Sequence, residues 1–351
     1  MKAKWAAVVF VGGALLASVA CEAKELKPGE PVDYGKMSFN PAEWTKKNID
    51  PMLLPWEGSN VVFLTTKGDY DPALMGKWVE RLDGGWQVYS DLTGRKPGVF
   101  KQLHDKPTIA AVPDGSLTCG AGCGYIGVSG IELAMFYDHN YPDLKKDSEA
   151  MPHYAFYEMG RNFYTFGERH SCFTCGFAVF MRYVCMDALG CHDVDPDARK
   201  TIELAESLHT EGTMGFLKCF TNADGLSEKE PRVKKPDGKW LQPSDQPVMY
   251  ASAMLRLRRE CGGDAWLKRF FAQLADCPAS KQNTRDGALA QCWHWYLCAS
   301  VAAHRDLSPV FVDEWCLPLA APTREALKKI SWDDANLRAA DLSKQITPAW
   351  N

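Results

Sequence analysis

His153-Tyr-Ala-Phe-Tyr-Glu-Met-Gly-Arg-Asn-Phe163 joins two unlike halves of the 351-residue chain. Its aromatic and apolar residues recur at three- and four-residue spacing, which predicts a helix over 153–166. His153, Tyr157 and Arg161 stand at i, i+4 and i+8 and therefore share one face of that helix. Glu158 precedes Arg161 by three residues, a spacing that suits an internal ion pair tying the helix to its neighbours. The same side chains also suit a polar pocket, in which Arg161 holds an anionic or sugar group while Glu158 and His153 or Tyr157 exchange hydrogen bonds with it.

Upstream, the short apolar and β-branched run 60–66 reads as a buried strand between Gly58 and Gly68. Asp71 then caps a helix whose first position is Pro72, and Met75, Trp78, Val79, Leu82, Trp86 and Tyr89 repeat at helical spacing until Gly94 and Pro97. A second strand is expected over 107–112 and a hairpin-like pair over 125–128 and 130–136. Downstream the pattern becomes helical, over 174–189, 197–209, 247–261, 265–274, 286–303 and 323–330. The polar stretch 222–246, with Gly225, Pro231, Pro236, Gly238 and Pro243, reads as a long surface loop. The order implies an α+β fold, a small mixed sheet with helices followed by a mainly helical C-terminal half. We divide it into a signal (1–23), an extended leader (24–59), a sheet-containing subdomain (60–150), a helical subdomain (151–330) and a tail (331–351).

A helix that carries His-Glu-x-x-His on one face ligates zinc through both histidines while the Glu polarises the attacking water. Tyr157-Glu158-Met159-Gly160-Arg161 has the same frame with both histidines replaced, followed by Asn162 and Phe163. In this context the chain resembles the gluzincin metallopeptidases, and within them the enhancin-like group, some of which act on mucin-type glycoproteins. Gly130-Ile-Glu-Leu133 resembles the edge strand that borders the substrate cleft of such enzymes. Val248-Met-Tyr-Ala-Ser-Ala-Met-Leu resembles the helix behind their active site, and Asp306-Leu-Ser-Pro through Trp315-Cys-Leu-Pro318 their closing segment. The resemblance spans about 60–318 and implies a zincin-like fold. It places Glu158 in the general-base position and Tyr157 and Arg161 where the zinc histidines would be. A third ligand would fall near Cys175-Gly176-Phe177, where no carboxylate stands. A guanidinium stays protonated and has no lone pair to offer a metal, so neither zinc nor another cofactor is expected. Glu158 is the candidate remnant of catalysis, and His153, Tyr157, Arg161, Asn162 and Glu132 are the candidate binding residues.

Other motifs carry less. His170, His192-Asp193 and His209, with Glu168, Asp195 and Glu211 nearby, lack the i, i+4 spacing of a helical metal site. Asn222-Ala-Asp-Gly-Leu-Ser lacks the alternating acids of a calcium loop, and the glycine loop at 120–127 is followed by strands rather than the helix of a dinucleotide site. Trp240, in the polar loop, is placed to stack on a sugar or peptide, whereas Trp266, Trp293, Trp295 and Trp315 read as helix packing. A net charge of −4 supplies no broad basic surface for nucleic acid.

The first residues read as an export signal: Lys2 and Lys4, an apolar run from Trp5 to about Ala20, then Glu22, Lys24 and Glu25. Cleavage after Ala23 and lipid attachment at Cys21 are both compatible with it, and no other segment is expected to span a bilayer. The thirteen cysteines leave an even number once Cys21 is set aside, enough for up to six disulfides in a periplasmic, surface or extracellular setting. Cys172-x-x-Cys175 also fits half a zinc site or a redox pair. Cys119-Gly-Ala-Gly-Cys123 reads as a loop held by bridges. The expected protein is exported, has lost zinc and peptidase activity, and binds a glycan, glycoprotein or peptide in the remnant cleft. An active hydrolase built on Glu158 and a structural envelope protein are the alternatives.

Overall fold

Side chains alternate across the short strands, so each strand feeds two cores at once. The computed structural model describes residues 25–167, 171–210, 216, 220, 246–280 and 284–351. Strands β1 (Val32–Asp33), β2 (Met52–Glu57), β3 (Val62–Thr65), β5 (Lys106–Ala111), β7 (Ile131–Leu133) and β6 (Gly122–Gly124) lie side by side in that order. β4 (Gln102–Leu103) pairs with β5 off this path. β3, β5 and β7 run parallel, while β2 and β6 are antiparallel to their neighbours. Phe63, Ile109, Ile131 and Leu133 face the main core. Val62, Leu64, Ala110 and Val112 face the opposite side, where Tyr34 and Trp44 are buried.

Helix α1 (Pro41–Lys46) brings Trp44 to that second core. Helix α2 (Pro72–Thr93) covers the first. It starts where expected, with the Asp71 side chain accepting from the Ala73 and Leu74 amides, and stops at Gly94, whose φ of 65° suits a residue without a Cβ. After α3 (Tyr141–Lys146) and β8 (Ala150–Met151) the helical half begins, and within it β9 (His192–Asp193) pairs in parallel with β8. Its axis is α5 (Ser171–Leu189), against which α4 (His153–Phe163) and α7 (Gln246–Cys261) both pack. Gly160 permits the first approach, because a Cβ there would stand 2.8 Å from the Ala178 Cα. α6 (Pro196–Thr210), α8 (Gly263–Asp276), α9 (Arg285–Ala303), α10 (Ala321–Leu327) and α11 (Ala339–Gln345) complete the set.

The α+β layout and most helix positions match the sequence reading; four details differ. The stretch 24–59 is not simply an extended leader, since it supplies β1, β2 and α1 and buries Tyr34, Trp44, Leu53 and Trp56. Its Pro, Lys and Glu residues masked the alternation that a single edge-side strand such as β2 requires. The paired strands lie at 122–124 and 131–133 rather than at 125–128 and 130–136, so β6, not 130–133, is the sheet edge. The tail 331–351 is folded, with Trp332, Ala339 and Leu342 buried and a bridge from Trp350 to Leu319. Cys172–Leu189, at a mean hydropathy of 1.4, is long and apolar enough to cross a bilayer, but 72% of it is buried here as the central core helix. The loop expected over 222–246, with its Asn222–Ser227 motif and Trp240, and the expected signal lie outside the described residues, save that Gln246 opens α7.

Cys119 and Cys123 form the one disulfide found among the described residues, immediately at the start of β6. In the helical half the sulfurs of Cys277 and Cys298 stand 3.5 Å apart.

Candidate functional site

Helix α4 turns Glu158 toward the sheet edge and Tyr157 and Arg161 toward α5. The approach of β6 to α4 depends on two residues without side chains: a Cβ at Gly122 would fall 2.8 Å from the Glu158 Cγ, and one at Gly124 would fall 2.5 Å from the Glu158 carbonyl oxygen. Glu158 is thereby left 9% exposed. Burial pushes its carboxyl up to about 7, against the opposing pull of the Arg161 charge and a hydrogen bond from the Gly124 backbone. A carboxyl poised there exchanges protons readily near neutrality.

The expected Glu158–Arg161 ion pair does not form. Arg161 instead donates from Nη1 to the Cys175 Sγ at 3.1 Å, across the α4–α5 interface. The i, i+3 spacing is overridden by the neighbouring helix, which presents a polarisable sulfur on the face to which Arg161 points. Tyr157 lies beside the same Cys175, and the Arg182 guanidinium carbon sits 5.9 Å from its ring centre. Burial, aided by the Cys175 sulfur, pushes the Tyr157 phenol up.

His153 shares this face but not this cluster. It packs on Tyr183 at 5.6 Å between ring centres, with its Nε2 3.6 Å from Asp195 Oδ2. Burial, and then the Arg182 charge, hold its pKa down to about 4, so it is neutral at pH 7. Asn162 is fully buried and lines no cleft; its Nδ2 donates to the carbonyls of Tyr125 (3.0 Å) and Gly130 (3.2 Å) and so pins the β6–β7 connection to α4. Glu132 is displaced furthest from expectation. On β7 it points to the opposite face of the sheet, where its Oε1 accepts from the Tyr34 hydroxyl (3.0 Å), the Ser38 hydroxyl (3.0 Å) and the Phe39 amide (2.9 Å). The reason is the period of two: Ile131 and Leu133 face the α4 side, so the residue between them cannot.

No family model matches the sequence. No curated protein matches it either. Among solved structures it is similar to a functionally unknown conserved protein mutant from Bacillus anthracis str. Ames, at 13% identity and a TM-score of 0.50, covering 86% of this chain and 56% of that one. A functionally unknown conserved protein from the same organism is similar at 12% identity and a TM-score of 0.48, covering 84% of this chain and 57% of that chain. The chain thus spans little more than half the length of either structure. The first likeness is one of fold alone.

The donors gathered at the α4–α5 interface do not fit a zinc ion. Arg161, a fixed cation with no lone pair to offer, lies against the Cys175 sulfur, and burial holds the Tyr157 phenol protonated, without the charge of a phenolate ligand. Among the described residues no group of three or more His, Cys, Asp or Glu side chains is arranged to hold a metal. His192 bonds to Asp147 at 2.7 Å; His170, Glu168, Glu211 and the side chain of His209 lie outside the described residues.

Two groups of side chains escaped the sequence reading. Phe39, Phe100 and Tyr125 stack beside the end of β6, with Phe39 and Tyr125 ring centres 4.4 Å apart, and Phe100 (48%) and Tyr125 (42%) stay exposed. They come from three separate segments, so no local pattern announces them. Arg182 was the other, although Cys175 and Arg182 are seven residues apart on one helix and the spacing places them on one face. Trp266, Trp293, Trp295 and Trp315 are buried, as the packing reading held.

Proposed function

We propose that this chain is an exported, zincin-like protein that works without zinc and binds an extended peptide or glycoprotein segment along the β6 edge, over Glu158. The observation that carries the reading is the seating of Glu158 directly beneath an edge strand reduced to Gly122-Cys123-Gly124. An edge strand has backbone donors and acceptors to offer an added strand. Here Gly122–Gly124 are buried and the Gly124 backbone already bonds Glu158, so the added segment would reach the edge at its end, beside the exposed Tyr125. The disulfide at Cys119–Cys123 steadies that edge, and the exposed Phe100 and Tyr125 extend it with apolar surface suited to sugar or aromatic side chains. The lost ligand set, Tyr157 and Arg161 against Cys175, supports a binding role over hydrolysis.

The test is binding of mucin glycopeptides and of casein by surface plasmon resonance, with mass spectrometry of the eluates. Binding without new cleavage products, and no stoichiometric zinc in protein purified without chelators, is the expected result. Zinc near one per chain would overturn the metal-free part of the proposal. A second reading, a hydrolase without a standard metal site, draws on one observation, the Glu158 carboxyl poised at about 7. Cleavage that Glu158→Gln abolishes would establish that reading in place of the first.

A further inference from the structure

Among the described residues, the arginines that are not exposed find oxygen acceptors, with two exceptions. Arg81 bonds Glu149 and the carbonyls of Ser148 and Ala150; Arg256 forks onto Glu314; Arg199 forks onto Asp187. Arg258 reaches Asp264, while Arg95 and Arg269 reach the carbonyls of Thr165 and Ala302. Among the described residues, Arg161 and Arg182, both half-buried, have no carboxylate within 4 Å and no oxygen acceptor. The Nε of Arg182 is buried without a partner, and its guanidinium leans on the rings of Tyr157 and Tyr183, at 5.9 and 4.8 Å. Arg161 has only the Cys175 sulfur.

Partly desolvating a guanidinium without an oxygen acceptor is costly, and two such groups flank one tyrosine on facing helices. We infer that the α4–α5 face holds an oxyanion site, in which Arg161 and Arg182 receive a carboxylate or sulfate group of the ligand on either side of Tyr157. Arginine forks suit a planar carboxylate or a sulfate edge, and the aromatic faces of Tyr157 and Tyr183 keep the Arg182 fork flat and oriented. Tyr157, Arg161, Cys175 and Arg182 are all partly buried, so the site keeps some contact with solvent. Asp193 and Asp195 act on this region, but from beyond ion-pair reach of Arg182. The inference rests on the proposed binding role and narrows it: the ligand should carry a negative charge.

The experiment is isothermal titration calorimetry of the full chain with sodium sulfate and with sodium succinate, at constant ionic strength against chloride. Saturable binding of at least one is expected, and which one binds tells sulfate from carboxylate. Arg161→Gln and Arg182→Gln should each weaken it about tenfold, and Arg182→Lys less, because lysine keeps the charge and loses the fork. Thermal melting of each variant checks folding, and Arg182→Lys serves if Arg182→Gln does not fold. Absence of saturable heat with both anions, or affinity unchanged in the Arg182 variants, would overturn the site. If glycopeptides bind in a way that depends on Glu158 but not on Arg182, the oxyanion site falls and the cleft reading stands; if the anions bind and no glycopeptide or peptide does, the reverse holds.

Discussion

Glu158 ties the chemistry of this protein to its stability. An unfolded Glu ionises near 4.5, whereas the folded protein keeps this carboxyl protonated to about pH 7. Below 4.5 both states are protonated and nothing is lost; as the pH rises to 7 the unfolded chain releases a proton that the folded one retains, and stability falls by on the order of 2–3 kcal/mol. Glu158→Gln is expected to remove that loss, so that urea titrations show it more stable than wild type at pH 8 and close to it at pH 4. His153 acts with the opposite sign, its contribution complete above its ordinary 6.5 and lost as the pH falls toward 4. The readout is therefore the difference between variant and wild type, and a constant difference across pH would refute the assignment. Gly124→Ala drives a Cβ to 2.5 Å from the Glu158 carbonyl oxygen; displacement of β6 should cost about 1–3 kcal/mol in chemical denaturation. At this scale the sequence showed which residues were chemically unusual, because residue types and i, i+4 spacing are local. It could not show that Arg161 would choose Cys175 over Glu158, since that choice was made by a second helix.

Elements were more legible than contacts. The N-terminus of α2 was readable from Asp71-Pro72 and its end from Gly94, because caps satisfy backbone groups with residues next to them in sequence. β6 was not readable, since three residues rich in glycine carry no alternation and become a strand only by pairing with β7. Cysteine pairing likewise depends on elements that meet. The 3.5 Å between the sulfurs of Cys277 at the end of α8 and Cys298 within α9 leads us to expect a second disulfide in protein matured under an oxidising thiol–disulfide buffer. A non-reducing peptide map should contain the 277–298 cross-link, and its absence from oxidised protein, with both thiols alkylated, would count against it.

For the molecule as a whole, the stretch 25–59 is part of the sheet rather than a covering. A chain starting at residue 60 would lose β2 from beside β3 and take Tyr34, Ser38 and Phe39 away from the buried Glu132. It is expected to fail to fold, which circular dichroism and size-exclusion chromatography would reveal; a cooperative, monomeric melt near that of the longer chain would contradict this. Periodicity, caps and composition, all properties of neighbouring residues, were enough to infer an α+β chain, its helices and the segment where unusual polar groups gather. Which strand became the edge, which face of the sheet took Glu132, and which partner held Arg161 were settled only when distant segments packed, because burial and hydrogen-bond geometry belong to pairs of surfaces that no single stretch of chain contains.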